Sequence, residues 1–200
     1  LREAARVSAR ARLPLCLHLA ESREEWDMWT RGDGALLEFF RRHNFLAPGW
    51  RAPGVSPAEW LDSTGILPPR GARGAPVLLA HVNEVTENDL ERLAARHVAA
   101  VVCPRTHLYF QRGAFPLERL RRAGIPTALG TDGLSSNPGL SLWEELRAAA
   151  RLCPRMAFAE LLELVTAESA RALGAEARYG ALCPGRRAAF TLIHSPASAP

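Results

Sequence analysis

Residues 13–22 read LPLCLHLAES, an apolar run that ends in His18 and is followed three residues later by Glu21. A short apolar run bounded by polar residues has the pattern of a strand buried in a parallel sheet. The histidine at its end stands either in the core or at the rim, where the loops of such a sheet converge. Three further runs repeat the arrangement: 77–80 leads into His81, 99–102 into CPRTH with His107, and 127–130 into GTDG with Asp132. Singly, each polar residue has an ordinary explanation. His18 can be a core histidine, His81 a helix cap, Glu21 a first-turn residue, His107 a loop residue and Asp132 a turn residue. Jointly they point to one site, because a closed barrel turns the ends of all its strands toward one axis.

Arginine-dotted helical segments separate the later runs, giving a βαβα rhythm. TENDLERLAARH opens with Thr86 as N-cap and Asp89 at the third helical position, and SLWEELRAAARLC has Ser141 followed by Glu144, the capping-box spacing. Between Ser22 and Gly74 lies a longer insertion with helical pieces at 24–29 and 35–43 and a short helix in SPAEWLDSTG. After the fourth run come helices at about 141–152 and 158–173, then the turn CPGRR, a last short strand at 188–193 and a fraying tail, SPASAP. No internal repeat is present. The expected class is α/β. Four strands with their helices make half of an eight-stranded barrel, and a doubly wound open sheet, which tolerates free edges better, is the alternative.

Composition bounds the function. The 200 residues, 48% of them apolar, suffice for one substantial core, and no apolar stretch reaches eighteen residues. The N-terminal LREAARVSARARLPL is arginine-dotted, unlike a secretory signal, so the cytoplasm is the expected compartment and no membrane association is expected. Cys16, Cys103, Cys153 and Cys183 form no C-x-x-C pair, so reduced thiols are expected. All 25 basic residues are arginine. Without lysine, this chain offers no Schiff-base, P-loop or carbamylated lysine. The net charge of +4 comes from arginines interleaved with Glu and Ala, as in LERLAARH, the pattern of solvated helix faces, and nucleic-acid binding is not expected. The chain opens on leucine inside a helical pattern, which reads as a portion of a longer protein.

HLAE, LLAHVNEV, VVCPRTH and ALGTDGLSSNPGLSLWEELRAA together resemble the amidohydrolase superfamily, in its metal-dependent deaminase and chlorohydrolase branch. The most specific element is G-T-D-G-x-x-S-N followed by a helix with E-x-R-x-A. Residues 180–193, GALCPGRRAAFTLI, resemble that family's return to a small β domain, with Ala189 where an acidic residue is usual.

The resemblance implies the second half, strands five to eight, of a TIM-type (β/α)8 barrel over residues 1–176, with 177–200 returning to the small β domain. It implies one divalent metal ion, zinc or iron, held by His18 and Asp132. Asp132 would also accept the proton of the attacking water, Glu21 would shuttle that proton to the substrate, and His81 would hydrogen-bond the water or the developing oxyanion. Arg105 and His107 are candidate substrate contacts. The implied activity is hydrolytic deamination of an adenine-type nucleoside or related small heterocycle; within the branch the similarity is greatest to aminodeoxyfutalosine deaminases, with S-adenosylhomocysteine deaminases as the other likeness. A chlorohydrolase or cyclic-amide hydrolase using the same site, and a non-catalytic binding or assembly member, are the alternatives, and a homo-oligomer is open. The family's first ligand pair, H-x-H, occurs nowhere in this sequence; it is expected upstream of Leu1, the alternative being a protein that has lost the metal. The small zinc deaminase fold with P-C-x-x-C does not fit, since VCPRTH has a single cysteine.

Overall fold

The computed structural model describes residues 1–11, 13–72, 74 and 76–193. Four parallel strands, β1 (Cys16–Leu19), β2 (Val77–His81), β3 (Val98–Val102) and β4 (Thr127–Leu129), lie side by side in chain order. β1 is shorter than the run 13–19, because Pro14 has no N–H to give a ladder. The Leu15 carbonyl still accepts from Leu78 just ahead of it. The central strands VLLAH and VAAVV are apolar on both faces, as parallel strands covered on both sides must be.

The helices are α1 (Arg2–Ala11), α2 (Arg23–Thr30), α3 (Ala35–Arg42), α4 (Pro57–Ser63), α5 (Glu87–Ala94), α6 (Pro104–Tyr109), α7 (Leu117–Arg122), α8 (Leu142–Leu152), α9 (Phe158–Glu163) and α10 (Ala167–Ala172). The main core lies between one face of the sheet and helices α4, α5, α7, α8 and α9. Val77, Leu79, Val98, Ala100, Val102 and Leu129 join Leu93, Leu117, Leu120, Leu161 and Leu164 in the main core. Each such leucine removed from water contributes on the order of 1.5–3 kcal/mol. The opposite face carries a small cluster of Leu78, Ala99 and Ala128 with Ala172. Gly130 closes β4 where an added Cβ would stand 2.7 Å from a Val101 methyl, so only glycine fits there.

Capping follows the sequence closely. Thr86 and Asp89 form the full capping box of α5, and Ser56, the N-cap of α4, is hydrogen-bonded to the same Asp89, tying the insertion to α5. Ser141 accepts from the Glu144 N–H, which is half of the expected box. Two expectations are corrected. The helix at 158–173 is two helices, broken where Leu164, Val165 and Thr166 make tight i→i−3 turns and the Thr166 backbone leaves helical space; the freed Leu164 carbonyl accepts from the Leu129 N–H of β4. The strand at 188–193 is not formed: these residues are exposed and pair with no strand among the described residues. A strand needs a neighbour to satisfy its backbone groups. The tail 195–200 lies outside the described residues.

Candidate metal and proton-transfer site

At the C-terminal ends of the strands the backbone departs from extended geometry. Ala20 beyond β1, His81 and Val82 at the end of β2, and Asp132 beyond β4 all have positive φ, from 50° to 73°. Such left-handed conformations cost non-glycine residues about 1–3 kcal/mol each and gather where function over-determines the chain.

At His81 the effect is specific. It lies in register with Leu19 and two residues after Leu79, both in the helix-side core, so strand alternation would send it to that core. Its φ of 73° breaks the alternation, and the imidazole sits 5.2 Å, ring centre to ring centre, from that of His18.

One ligand atom from each of His18, His81 and Asp132 lies within 4.8 Å of the others. His18 Nε2 is 3.8 Å from Asp132 Oδ1, a gap that one ion at about 2.1 Å from each donor can bridge. His81 is buried, and its Nε2 has no hydrogen-bond partner among the described residues. Burial pushes the His81 pKa below the usual imidazole range, against the pull of the Glu21 and Asp132 carboxylates, which keeps the ring neutral and its nitrogen lone pair available. Two imidazoles and a carboxylate suit zinc or iron. Burial pushes the Cys103 thiol, beside Asp132, up to about 12, so it stays a neutral packing group.

Glu21 faces the same space, with Oε2 3.8 Å from His81 Nε2. Its backbone is fixed from three directions. The Glu25 carboxylate of α2 accepts from the N–H groups of Ala20 and Glu21, and the Asn83 amide donates to the Glu21 carbonyl. Burial raises the Glu25 pKa while those N–H donors oppose the rise. The other Glu21 oxygen, Oε1, accepts from Arg112 NH2 at 3.3 Å.

Asp132 is braced by the S-N of its motif. Ser136 Oγ donates to Asp132 Oδ2 at 3.1 Å and lies 3.0 Å from Thr106 Oγ1 of α6. Asn137 donates to the Thr131 carbonyl and to Glu145 of α8. The fully buried Glu145 also accepts from the Arg105 N–H at 2.9 Å, so one carboxylate joins the loops after β3 and β4. Burial holds its pKa above the usual carboxylate range.

Four of the expected residues, His18, Glu21, His81 and Asp132, therefore meet. Arg105 and His107 are occupied by protein groups instead: Arg105 NH1 donates to the Gly139 carbonyl, and His107 is buried with its Nε2–H donating to the Gly113 carbonyl at 3.0 Å. Glu25, Asn83, Arg112, Ser136, Asn137 and Glu145 carry no spacing signal of their own; only S-N and E-x-R-x-A in the motif hinted at the last three. A separate cavity of about 490 Å³ lies at the other end of the strands, near Pro76, Val98 and Thr127. The His–Asp cluster instead opens to solvent at His18, whose side chain is 67% exposed.

A parallel α/β sheet whose strand ends bring together two imidazoles, an aspartate and a glutamate has the donor set for a divalent ion beside a proton-transfer group. The chain belongs to the amidohydrolase family, whose sequence model matches residues 1–199. It is 30% identical over 200 residues to a 5-methylthioadenosine/S-adenosylhomocysteine deaminase of Pelotomaculum thermopropionicum, a match covering 96% of this chain and 40% of the relative. It is 33% identical over 148 residues to an aminodeoxyfutalosine deaminase of Deinococcus radiodurans, covering 71% of this chain and 34% of that protein. Among solved structures it is similar to a zinc-bound adenosine deaminase of Xanthomonas campestris, with a TM-score of 0.72 and 27% identity over 94% of this chain and 39% of the other. The chain thus spans about 40% or less of the length of these curated relatives.

Proposed function

We propose that this chain is the portion of a metal-dependent amidohydrolase barrel that supplies strands five to eight, and that the reaction is hydrolytic deamination of an adenine-type nucleoside or related heterocycle. The observation that carries this reading is the meeting of His18, His81 and Asp132, with Glu21 facing the same space. The names of the two sequence relatives, 5-methylthioadenosine/S-adenosylhomocysteine deaminase and aminodeoxyfutalosine deaminase, support the substrate class, and aminodeoxyfutalosine is one candidate within it.

His18 and Asp132 would hold the ion, zinc or iron, and His81 stands close enough to be a third donor. When bound, such an ion supplies Lewis acidity and brings the pKa of a water toward neutrality. Asp132 takes the proton of the attacking water. Glu21 carries a proton to the ring nitrogen of the substrate and then to the departing amine. The neutral His81 hydrogen-bonds the water or the oxyanion that forms from it. Arg105, beside the Asp132 loop, and His107, after exchange of its Gly113 bond, are the candidate substrate contacts.

Residues 177–200 would lead to a neighbouring small β domain. Leu182, Phe190, Leu192 and Ile193 are exposed, as side chains awaiting such a neighbour would be. The cytoplasm is the proposed compartment, supported by four unpaired cysteines and by the absence, among the described residues, of a helix long and apolar enough to cross a membrane.

The test separates the two carboxylates in the natural protein that contains this chain. Glu21→Gln should lower the rate of ammonia release on the order of a hundred- to ten-thousand-fold with metal content unchanged. Asp132→Asn should lose both rate and metal. A fully active Glu21→Gln protein would overturn the reading.

A further inference from the structure

Arg112 has no role in the reaction as set out above, yet it is the one cation that touches Glu21 among the described residues. Its NH2 donates to Glu21 Oε1 at 3.3 Å, its NH1 lies 3.6 Å from Glu24 Oε2, and its guanidinium carbon stands 4.8 Å above the Phe110 ring. The side chain is 19% exposed, and its Nε is buried without a partner among the described residues. Carboxylates and a ring face therefore place the guanidinium. The segment that carries it is itself clamped: the Arg112 N–H donates to the His107 carbonyl, and the His107 ring holds the next carbonyl, that of Gly113.

We infer that Arg112 is a positioning residue for Glu21, tying Oε1 down so that Oε2 alone is presented to His81 and the reacting atoms. The two Glu21 oxygens have different neighbours, Arg112 for one and His81 at 3.8 Å for the other. A carboxylate free to rotate would divide its time between orientations, whereas a proton carrier acts from one. Glu24, one α2 position from the Glu25 carboxylate that holds the Glu21 backbone, meets the same guanidinium at its other terminal nitrogen, NH1. Loss of such a brace leaves the site intact and its geometry loose, and a misplacement of about 1 Å can lower a rate a hundredfold. This inference rests on Glu21 being the proton carrier.

The experiment uses the natural protein loaded with zinc and an adenine-type nucleoside. Arg112→Met, which keeps a stem against Phe110, should lower kcat about 10- to 100-fold, with KM within about threefold of wild type and zinc content unchanged. The double variant Arg112→Met/Glu21→Gln should be no slower than Glu21→Gln alone, since a brace has nothing to do once its client cannot carry a proton. An unchanged kcat for Arg112→Met beside an inactive Glu21→Gln overturns this inference alone, as do losses that multiply in the double variant or a loss of zinc. Glu21→Gln with wild-type kcat overturns the proton-carrier reading and this inference with it. If Arg112→Met does not fold, Arg112→Lys, which keeps the charge and cannot brace both carboxylates, should show a smaller kcat loss with the same non-additivity. Multiplicative losses there overturn it equally.

Discussion

Nε2 of His18 and Oδ1 of Asp132 lie 3.8 Å apart although β1 and β4 are the two outer strands of the sheet. Neighbouring strands are about 4.8 Å apart, so in a flat sheet three spacings would hold their ends roughly 14 Å from each other, with side chains standing parallel. The approach is bridged by curling of the sheet together with the reach of Asp132 from the loop three residues beyond β4.

This relationship makes metal binding the most direct check of the site. In the natural protein, His18→Ala and Asp132→Asn should each weaken zinc retention at least tenfold in competition with a chelator, while Glu21→Gln should not. Equal retention by all three would place the ion elsewhere.

The Glu145 clamp gives a stability prediction. Glu145→Ala leaves one N–H of the buried Asn137 amide and the Arg105 N–H without their acceptor, while the Asn137 bond to the Thr131 carbonyl remains, and each unsatisfied donor costs about 1–3 kcal/mol. Urea unfolding should show a loss of roughly 2–5 kcal/mol. Glu145→Gln, which can still accept from one of the two donors, should fall between Glu145→Ala and wild type.

His107 should make stability depend on pH. Burial lowers its pKa below the ordinary value, with the Arg112 charge adding to the effect against the Gly113 hydrogen bond and Glu84. The unfolded chain therefore takes up a proton, near the ordinary value of about 6.5, that the folded chain still refuses. The contribution of the neutral ring is complete above that pH and is lost as pH falls toward the folded pKa. His107→Gln keeps a donor for Gly113 and removes the titration. Its melting temperature should fall less than that of wild type between about pH 8 and pH 5, and parallel curves would count against the assignment.

The 200 residues produced by themselves should associate. β1 has no strand on its outer side among the described residues, and Leu182, Phe190, Leu192 and Ile193 are exposed. Size-exclusion chromatography should show oligomers or aggregates, and the material should not release ammonia from adenosine. A monodisperse, active monomer would contradict this.

Much of the architecture is local and was therefore legible. Four apolar runs of strand length gave four strands, and the Thr86–Asp89 pair gave its capping box, because burial pattern and capping act over a few consecutive residues. The boundaries missed were those set by distant partners. The break at Leu164–Thr166 serves β4, and the segment 188–193 has no neighbour to pair with.

The same division runs through the site. Sequence alone determined which residue types end the strands and hence the chemistry available to them, because strand ends at one rim of a parallel sheet must share that rim. Tertiary structure decided which way those side chains face. Alternation assigns His81 to the helix-side core, and only its left-handed backbone turns it toward His18. Arg112 reaches Glu21 from a loop 91 residues away, and Glu145 reaches Arg105 across 40, through contacts that no spacing in the chain encodes. Short-range patterns fix what a segment can form, but a hydrogen bond between loops depends on how the whole sheet has curled.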